Sequence, residues 1–358
     1  MRRPFTSALP SLLQASFLQA SFFRPSFSLA AVLSSAVLLT ACGGDSSSST
    51  EIVGPREISA TIPFAAVVGD ASVECGEDYL NVGSDATTVS FVDFRFYVHD
   101  FKLVTDAGAE IDVSLDDVST TGSGESNSSE TSPSQNSRVA QLDFRDTLGC
   151  EAEADVNPNF NDGVQVTATV EEGVTVAAIR FTLGVPFDLN HKDQAAADEP
   201  LRNPGRASGA GWNWQGGYKF TGIDVAPVGG WTDPEDGERT GNRWNMHLGS
   251  TGCPVSVSDL ESGTDPETCE NPNRPEITIE LGAIDVEQAE IVIDYAALVS
   301  GVSVAQDEGG APGCMSGTTD PECEAVFANL GLGLDLGTGE NAESEQSVFS
   351  VREKASAE

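Results

Sequence analysis

Six stretches, at residues 58–68, 89–104, 164–170, 176–183, 277–281 and 289–293, are crowded with β-branched and apolar side chains, and clusters of Gly, Asp, Asn and Pro separate them. Runs of this kind between turn signals read as strands, and many of them with few helical periods predict a mostly β fold, an antiparallel sandwich or barrel-like domain with long loops. Short helices are expected only at 295–299 and 324–330. One strand carries an internal conflict. Phe94, Phe96 and Val98 share a face and His99 lies on the other, but Phe101 and Leu103 then fall on the face of His99. Such a change of phase calls for a bulge near Asp100 or burial on both faces.

The N-terminus sets the compartment. Arg2, Arg3 and Arg24 precede an uncharged, largely apolar stretch, 25–41, which ends in Leu39-Thr40-Ala41-Cys42. A charged start, an apolar middle and small residues before a cysteine form the pattern of a lipoprotein signal peptide, with Cys42 as the acylated residue. An uncleaved membrane helix is the rival, but the stretch is a little short for one and a Gly-Gly-Asp-Ser tether follows it. Lipid is then the membrane attachment. Gly43, rather than Asp, after Cys42 favours the outer membrane. The expected plan is a signal peptide over 1–41, a tether over 42–56, one β domain over 57–337 and a disordered acidic tail over 338–358, with a mobile Ser-rich insertion at 119–137.

Export also bears on the cysteines. Six remain after Cys42, an even number that in an oxidising space suggests three disulfides. Fifteen pairings are possible, and the short separations favour Cys253–Cys269 and Cys314–Cys323, leaving Cys75–Cys150. Closing each short loop stabilises by about 3 kcal/mol on the chain-entropy account. A thiolate metal site is disfavoured because no Cys-x-x-Cys pair is present.

Charge excludes one partner class. The formal charge of −38 becomes −41 once the three N-terminal arginines are removed, and only four lysines are present, so nucleic acid is not expected to bind. Signatures of hydrolases, phosphate-binding loops, zinc proteases and covalent haem are absent, and the chain is not expected to be an enzyme. The turn Asn157-Pro158-Asn159-Phe160-Asn161-Asp162-Gly163 lacks the spacing and closing Glu of a calcium loop.

What chemistry remains lies in three histidines and four tryptophans. His99 ends the strand around Phe96, His191 stands at the mouth of the long irregular region 190–211, and His247 lies six residues before Cys253. Singly, each histidine is more often structural. Held together on a rigid β frame, they would suit copper or zinc. Trp212, Trp214 and Tyr218 share a side if their segment is extended, while Trp231 sits among Gly, Asp and Pro in an expected mobile loop.

The strings Phe94-Arg95-Phe96-Tyr97-Val98, Leu142-Asp143-Phe144, Gly184-Val185-Pro186-Phe187-Asp188-Leu189-Asn190-His191, Trp212-Asn213-Trp214-Gln215-Gly216-Gly217-Tyr218, His247-Leu248-Gly249-Ser250-Thr251-Gly252-Cys253 and Gly313-Cys314-Met315-Ser316 occur in that order. In this the chain resembles the MbnP-like, or metallo-mystery-pair four-Cys, family known from methanobactin and other copper-related operons. The resemblance implies that the four family cysteines are Cys253, Cys269, Cys314 and Cys323. It implies a periplasmic or surface copper-binding protein whose partner, a di-haem cytochrome c peroxidase-like protein, oxidises a tryptophan to kynurenine. Candidate copper ligands are His99, His191 and His247. Candidate modified residues are Trp214 and Trp212 first, then Trp244. A surface lipoprotein binding sugar or calcium through its Trp and Asp loops is the alternative.

Overall fold

The computed structural model describes residues 54–117, 133–147, 150, 156–212, 217–253, 268–334, 337 and 345–355. Cys42 and Trp214 lie outside them, as do the signal peptide, most of the tether and residues 118–132 of the insertion. Strand makes up 42% and helix 8%, and curled sheets form a half-barrel.

The first sheet is six-stranded and runs β12 (Phe349–Glu353), β10 (Ala289–Asp294), β1 (Arg56–Val68), β5 (Gly163–Val170) and Ser114–Leu115, with Ala71–Ser72 folding back on β1. The second is nine-stranded. Its path is β9 (Glu276–Glu280), β6 (Val176–Leu183), β3 (Thr87–Thr105), β7 (Thr221–Pro227), β8 (Trp244–Met246) and β11 (Gly313–Cys314). Strands β2 (Asp78–Val82), Glu110–Asp112 and β4 (Ala140–Asp143) line the other flank of β3. Pairing is mainly antiparallel, but β1 with β10 and β8 with β11 are parallel. Three short helices complete the fold: α1 (Phe187–Asn190), α2 (Tyr295–Leu298) and α3 (Pro321–Asn329).

Strand β3 organises the molecule. Along one edge β7 pairs as far as Phe96↔Thr221, and β6 takes over from Val98↔Leu183. At the handover the register shifts between His99 and Lys102, and Asp100 adopts φ 52°. That bulge resolves the change of phase. It turns Phe101 into the same core as Phe96, where Phe101 stacks on Phe181 at 5.3 Å and Phe64 packs edge-on against both Phe96 and Phe181. Such aromatic pairs contribute about 0.5–1.5 kcal/mol each beyond their burial.

The second face of β3 is covered as well, by polar groups. Arg95 grips Asp93 and donates to the Ser208 carbonyl, Gln141 donates to the Tyr97 hydroxyl at 2.7 Å, and the Tyr218 hydroxyl donates to the Leu201 carbonyl at 2.7 Å. These bonds fasten the long region 190–211 over the sheet. They are why a stretch poor in apolar residues is nonetheless held in place.

Two parts of the expected plan change. The tail is not wholly outside the domain: β12 pairs with β10 from Ala289↔Glu353 to Ile293↔Phe349, and Phe349 packs against Phe96 and Phe181. The short alternation Val348-Phe349-Ser350-Val351 is masked by charged neighbours in composition, yet two buried rings' worth of contact fixes it. Within the insertion, the described end is anchored. Gln135 is 1% exposed, its amide donates to the Asp116 and Gln165 carbonyls, and its oxygen accepts from Gln165 N–H.

All three disulfides form: Cys75–Cys150, Cys253–Cys269 and Cys314–Cys323. No described helix is long and apolar enough to cross a membrane.

Candidate metal centre

His99 is delivered by the bulge in β3. Its Nδ1 lies 2.9 Å from the Gly184 carbonyl oxygen. A carbonyl can only accept, so Nδ1 carries the proton and Nε2 keeps its lone pair. Among the described residues no hydrogen bond engages Nε2. Burial pushes the imidazole down to about 4, so it is neutral at ordinary pH despite the hydrogen bond to Gly184 that works the other way. His99 lines a cavity of about 320 Å³ together with Asp100, Arg138, Pro186 and Phe187.

His191 follows α1. Asn190 fixes it: the Asn190 oxygen accepts from Tyr218 N–H at 3.0 Å, so the amide nitrogen points at His191 Nε2, 3.1 Å away, and donates to its lone pair. The same Nε2 is 3.6 Å from Cys269 Sγ. His191, Cys253 and Cys269 form the three-donor group of the described residues, their donor atoms within 4.8 Å of one another. Because the two sulfurs are joined in a disulfide, the group offers one good donor in this state, the imidazole. Phe187 touches both histidine sites, lining the cavity beside His99 and lying 5.8 Å ring to ring from His191.

Arg274 binds this corner together. Its Nε donates to the Val185 carbonyl at 2.7 Å, and its Nη1 donates to Ser250 Oγ at 3.0 Å and to the Pro272 carbonyl at 3.3 Å. The guanidinium lies over Phe220 and Phe187, at 4.6 and 5.4 Å. Among the described residues it has no carboxylate partner, and burial brings it down to about 10. Gly184 is required here. A Cβ at that position would stand 3.1 Å from the Phe220 ring and 3.3 Å from Arg274 Cγ, and its φ is +135°.

His247 is placed differently. Its Nε2 is 2.7 Å from Asp224 Oδ1, the residue is 5% exposed, and Nδ1 is buried without a partner. A carboxylate behind an imidazole is how many metal ligands are oriented. Among the described residues the three-donor group takes in neither His247 nor His99. Phe187 is what His99 and His191 share, while His247 is set on its own carboxylate.

The tryptophans separate as clearly. Trp212 is buried in a small ladder, Gly211–Trp212 with Gly217–Tyr218, its ring against Gly249 where a Cβ would come within 2.2 Å. Trp244 is fully buried and shares a strand face with Met246. Trp231 is not in a mobile loop: it pairs with Gly241, its indole N–H donates to the Arg243 carbonyl at 2.6 Å, and Arg239 lies 5.2 Å over its ring. At the turn 157–163 the Asn157 side chain donates to the Arg145 carbonyl and accepts from Asn159 N–H.

Sequence reasoning did not identify Gly184, Asn190, Asp224 or Arg274. Asn190 was adjacent to a candidate ligand and could have been found. Arg274, one arginine among prolines and asparagines, gave no signal.

Comparison with known proteins now has a geometry to meet. No curated protein matches the chain. A solved structure, MbnP from Methylosinus trichosporium, superposes with a TM-score of 0.63 at 27% identity, over 84% of this chain and all of the other. The family model for MbnP matches residues 57–316, which takes in both histidines of the cavity corner, His247 and Cys314. The chain belongs to the MbnP family.

Proposed function

We propose that this is a lipid-anchored copper-binding protein of the cell envelope, attached through Cys42 and most simply placed in the outer membrane. His99 and His191 supply imidazole nitrogens, and a kynurenine made from Trp212 or Trp214 supplies a further donor. The observation that carries this reading is His99: neutral, tautomerically fixed by the Gly184 carbonyl, and presenting an unused Nε2 at a cavity wall. Such a nitrogen needs no proton removed before it binds a metal. Imidazole suits copper, and carboxylates, which would favour harder ions, are not part of the three-donor group.

Opening an indole to kynurenine consumes two peroxides to cleave the ring to N-formylkynurenine and one water to release the formyl carbon as formate, so the residue loses one carbon, gains one oxygen and exposes an aromatic amine and a ketone. The oxidant must come from outside, because the chain has no haem attachment motif; a di-haem peroxidase-like partner acting with peroxide would supply it. The protein is then the substrate of that partner and not itself an enzyme. His247 is the reserve ligand, with Asp224 already oriented behind it.

Co-production with the di-haem partner should yield a peptide containing Trp212 or Trp214 with the corresponding mass change, and copper retained after dialysis should rise with it. Equal copper retention by protein with unmodified tryptophans, or modification at Trp231, would overturn the mechanism. Labelling with a fatty-acid analogue tests the anchor. Cys42→Ser should abolish the label and release soluble protein, and recovery of acylated protein from the inner membrane alone would refute the outer-membrane placement.

A further inference from the structure

A second corner of the domain holds a concentration of buried oxygen that nothing in the copper reading uses. Asp307 is fully buried, and Asp320 and Glu322 are each 6% exposed. Asp307 already has its cation: Arg239 reaches it at 2.6 Å while also pairing with Asp233 at 3.2 Å. Asp320 and Glu322 have none. One oxygen of Glu322 accepts from Glu308 N–H at 2.5 Å, but Glu322 Oε2 and Asp320 Oδ1 are buried with no hydrogen-bond partner. Two neighbouring carboxylates, each with one buried oxygen that has no partner among the described residues and neither paired with a cation, are an incomplete arrangement, because their charge is not neutralised.

The surroundings say what would complete it. Glu322 forms part of the wall of a cavity of about 370 Å³, which Ser303, Gln306, Glu308 and Glu324 also line and which no Lys or Arg lines. The cavity gives an entry path and room for water ligands. A Cβ added at Gly310, whose φ is +81°, would stand 3.5 Å from Asp320 Oδ2.

We propose that Asp320 and Glu322 form a binding site for a hard divalent cation of the calcium class, entered through the cavity beside α3. Two carboxylates match the double charge. An all-oxygen set with water making up the coordination suits calcium, which tolerates irregular geometry, better than magnesium or copper. In keeping with this, burial and the adjacent Glu322 hold the Asp320 carboxyl up at about 8, so without a cation it keeps its proton at neutral pH. Glu308 and Glu324 add negative charge at the mouth, and Arg239 beyond Asp307 is the positive group opposing it.

The site is a separate one from that of the histidines, and its test distinguishes them. Full-length protein stripped with a chelator is titrated with calcium chloride at pH 8, by calorimetry and by thermal unfolding. One calcium per chain should bind and raise the Tm. Glu322→Gln, nearly isosteric, should weaken binding at least tenfold and leave copper retention unchanged. No binding by wild-type protein, or equal binding by Glu322→Gln, would each overturn the proposal.

Discussion

The corner stapled by Cys253–Cys269 and the corner stapled by Cys314–Cys323 are each preceded or entered by a similar stretch, Ser262-Gly263-Thr264-Asp265-Pro266-Glu267 in one case and Ser316-Gly317-Thr318-Thr319-Asp320-Pro321-Glu322 in the other. They assemble different atoms. At the first, His99 and His191 arrive from strand and helix ends far away in sequence, His191 lies against the staple, and Arg274 ties the neighbouring loops together. At the second, Asp307, Asp320 and Glu322 come from one short stretch, and Arg239 pairs with Asp307 alone of the three. A staple and a turn do not decide the chemistry of a corner. What decides it is which side chains the neighbouring elements deliver, and here nitrogen is delivered to one and oxygen to the other.

The strongest way to break this contrast is to remove the nitrogen. His99→Ala and His191→Ala should each lower copper affinity by about two orders of magnitude or more, in competition with a chromophoric chelator, while calcium binding stays at the wild-type value. Next in size are the staples. On the chain-entropy account, replacing Cys253 and Cys269 with alanine should destabilise by about 3 kcal/mol and replacing Cys314 and Cys323 by about 2.5 kcal/mol in urea unfolding, so nearly equal losses of stability should accompany unequal losses of copper.

Acid and base should then act in opposite directions on the two corners. His99 is held at about 4, below its ordinary value of 6.5, so its contribution is present above pH 6.5 and is lost as pH falls towards 4, by up to about 3 kcal/mol; His99→Gln should flatten that limb. The Asp320 carboxyl is raised from 3.8 to about 8, so its contribution is complete below pH 4 and is lost as pH rises to 8; Asp320→Asn should flatten this other limb in calcium-free buffer. Smaller effects sharpen the boundary. Gly184→Ala should cost about 1–3 kcal/mol and about tenfold in copper affinity, by displacing the carbonyl that orients His99. His247→Gln should change copper affinity by less than about threefold, although it breaks the pair with Asp224. A large loss there would move His247 into the ligand set.

Much of this was legible in the residues. Period-two patterns located the long strands to within a few positions, and the conflict between Val98 and Phe101 located the bulge that carries His99. Disulfide pairing followed from chain distance because short loops close most readily. What stayed hidden was of another kind. Phe349 and Val351 make too short a run to stand out from the acidic tail around them, and their strand exists because β10 offers an edge. The covering of β3 by residues 190–211 depends on Arg95, Gln141 and Tyr218, whose partners are mostly backbone carbonyls. Carbonyls leave no trace in composition. Among so many acids, Asp320 and Glu322 were likewise indistinguishable until burial singled them out.

The length of β3 has one more consequence. Its first residue, Thr87, bonds to Asp85, which in turn accepts from Ser303 on the wall of the oxygen-lined cavity, and its thirteenth is His99. Twelve residues of strand span about 40 Å. At physiological ionic strength a charge is screened within about 8 Å, so neither bound ion would feel the field of the other. Substitutions at the two ends should therefore add without interaction, and the two proposed sites would fill as a pair of uncoupled gauges mounted on one beam.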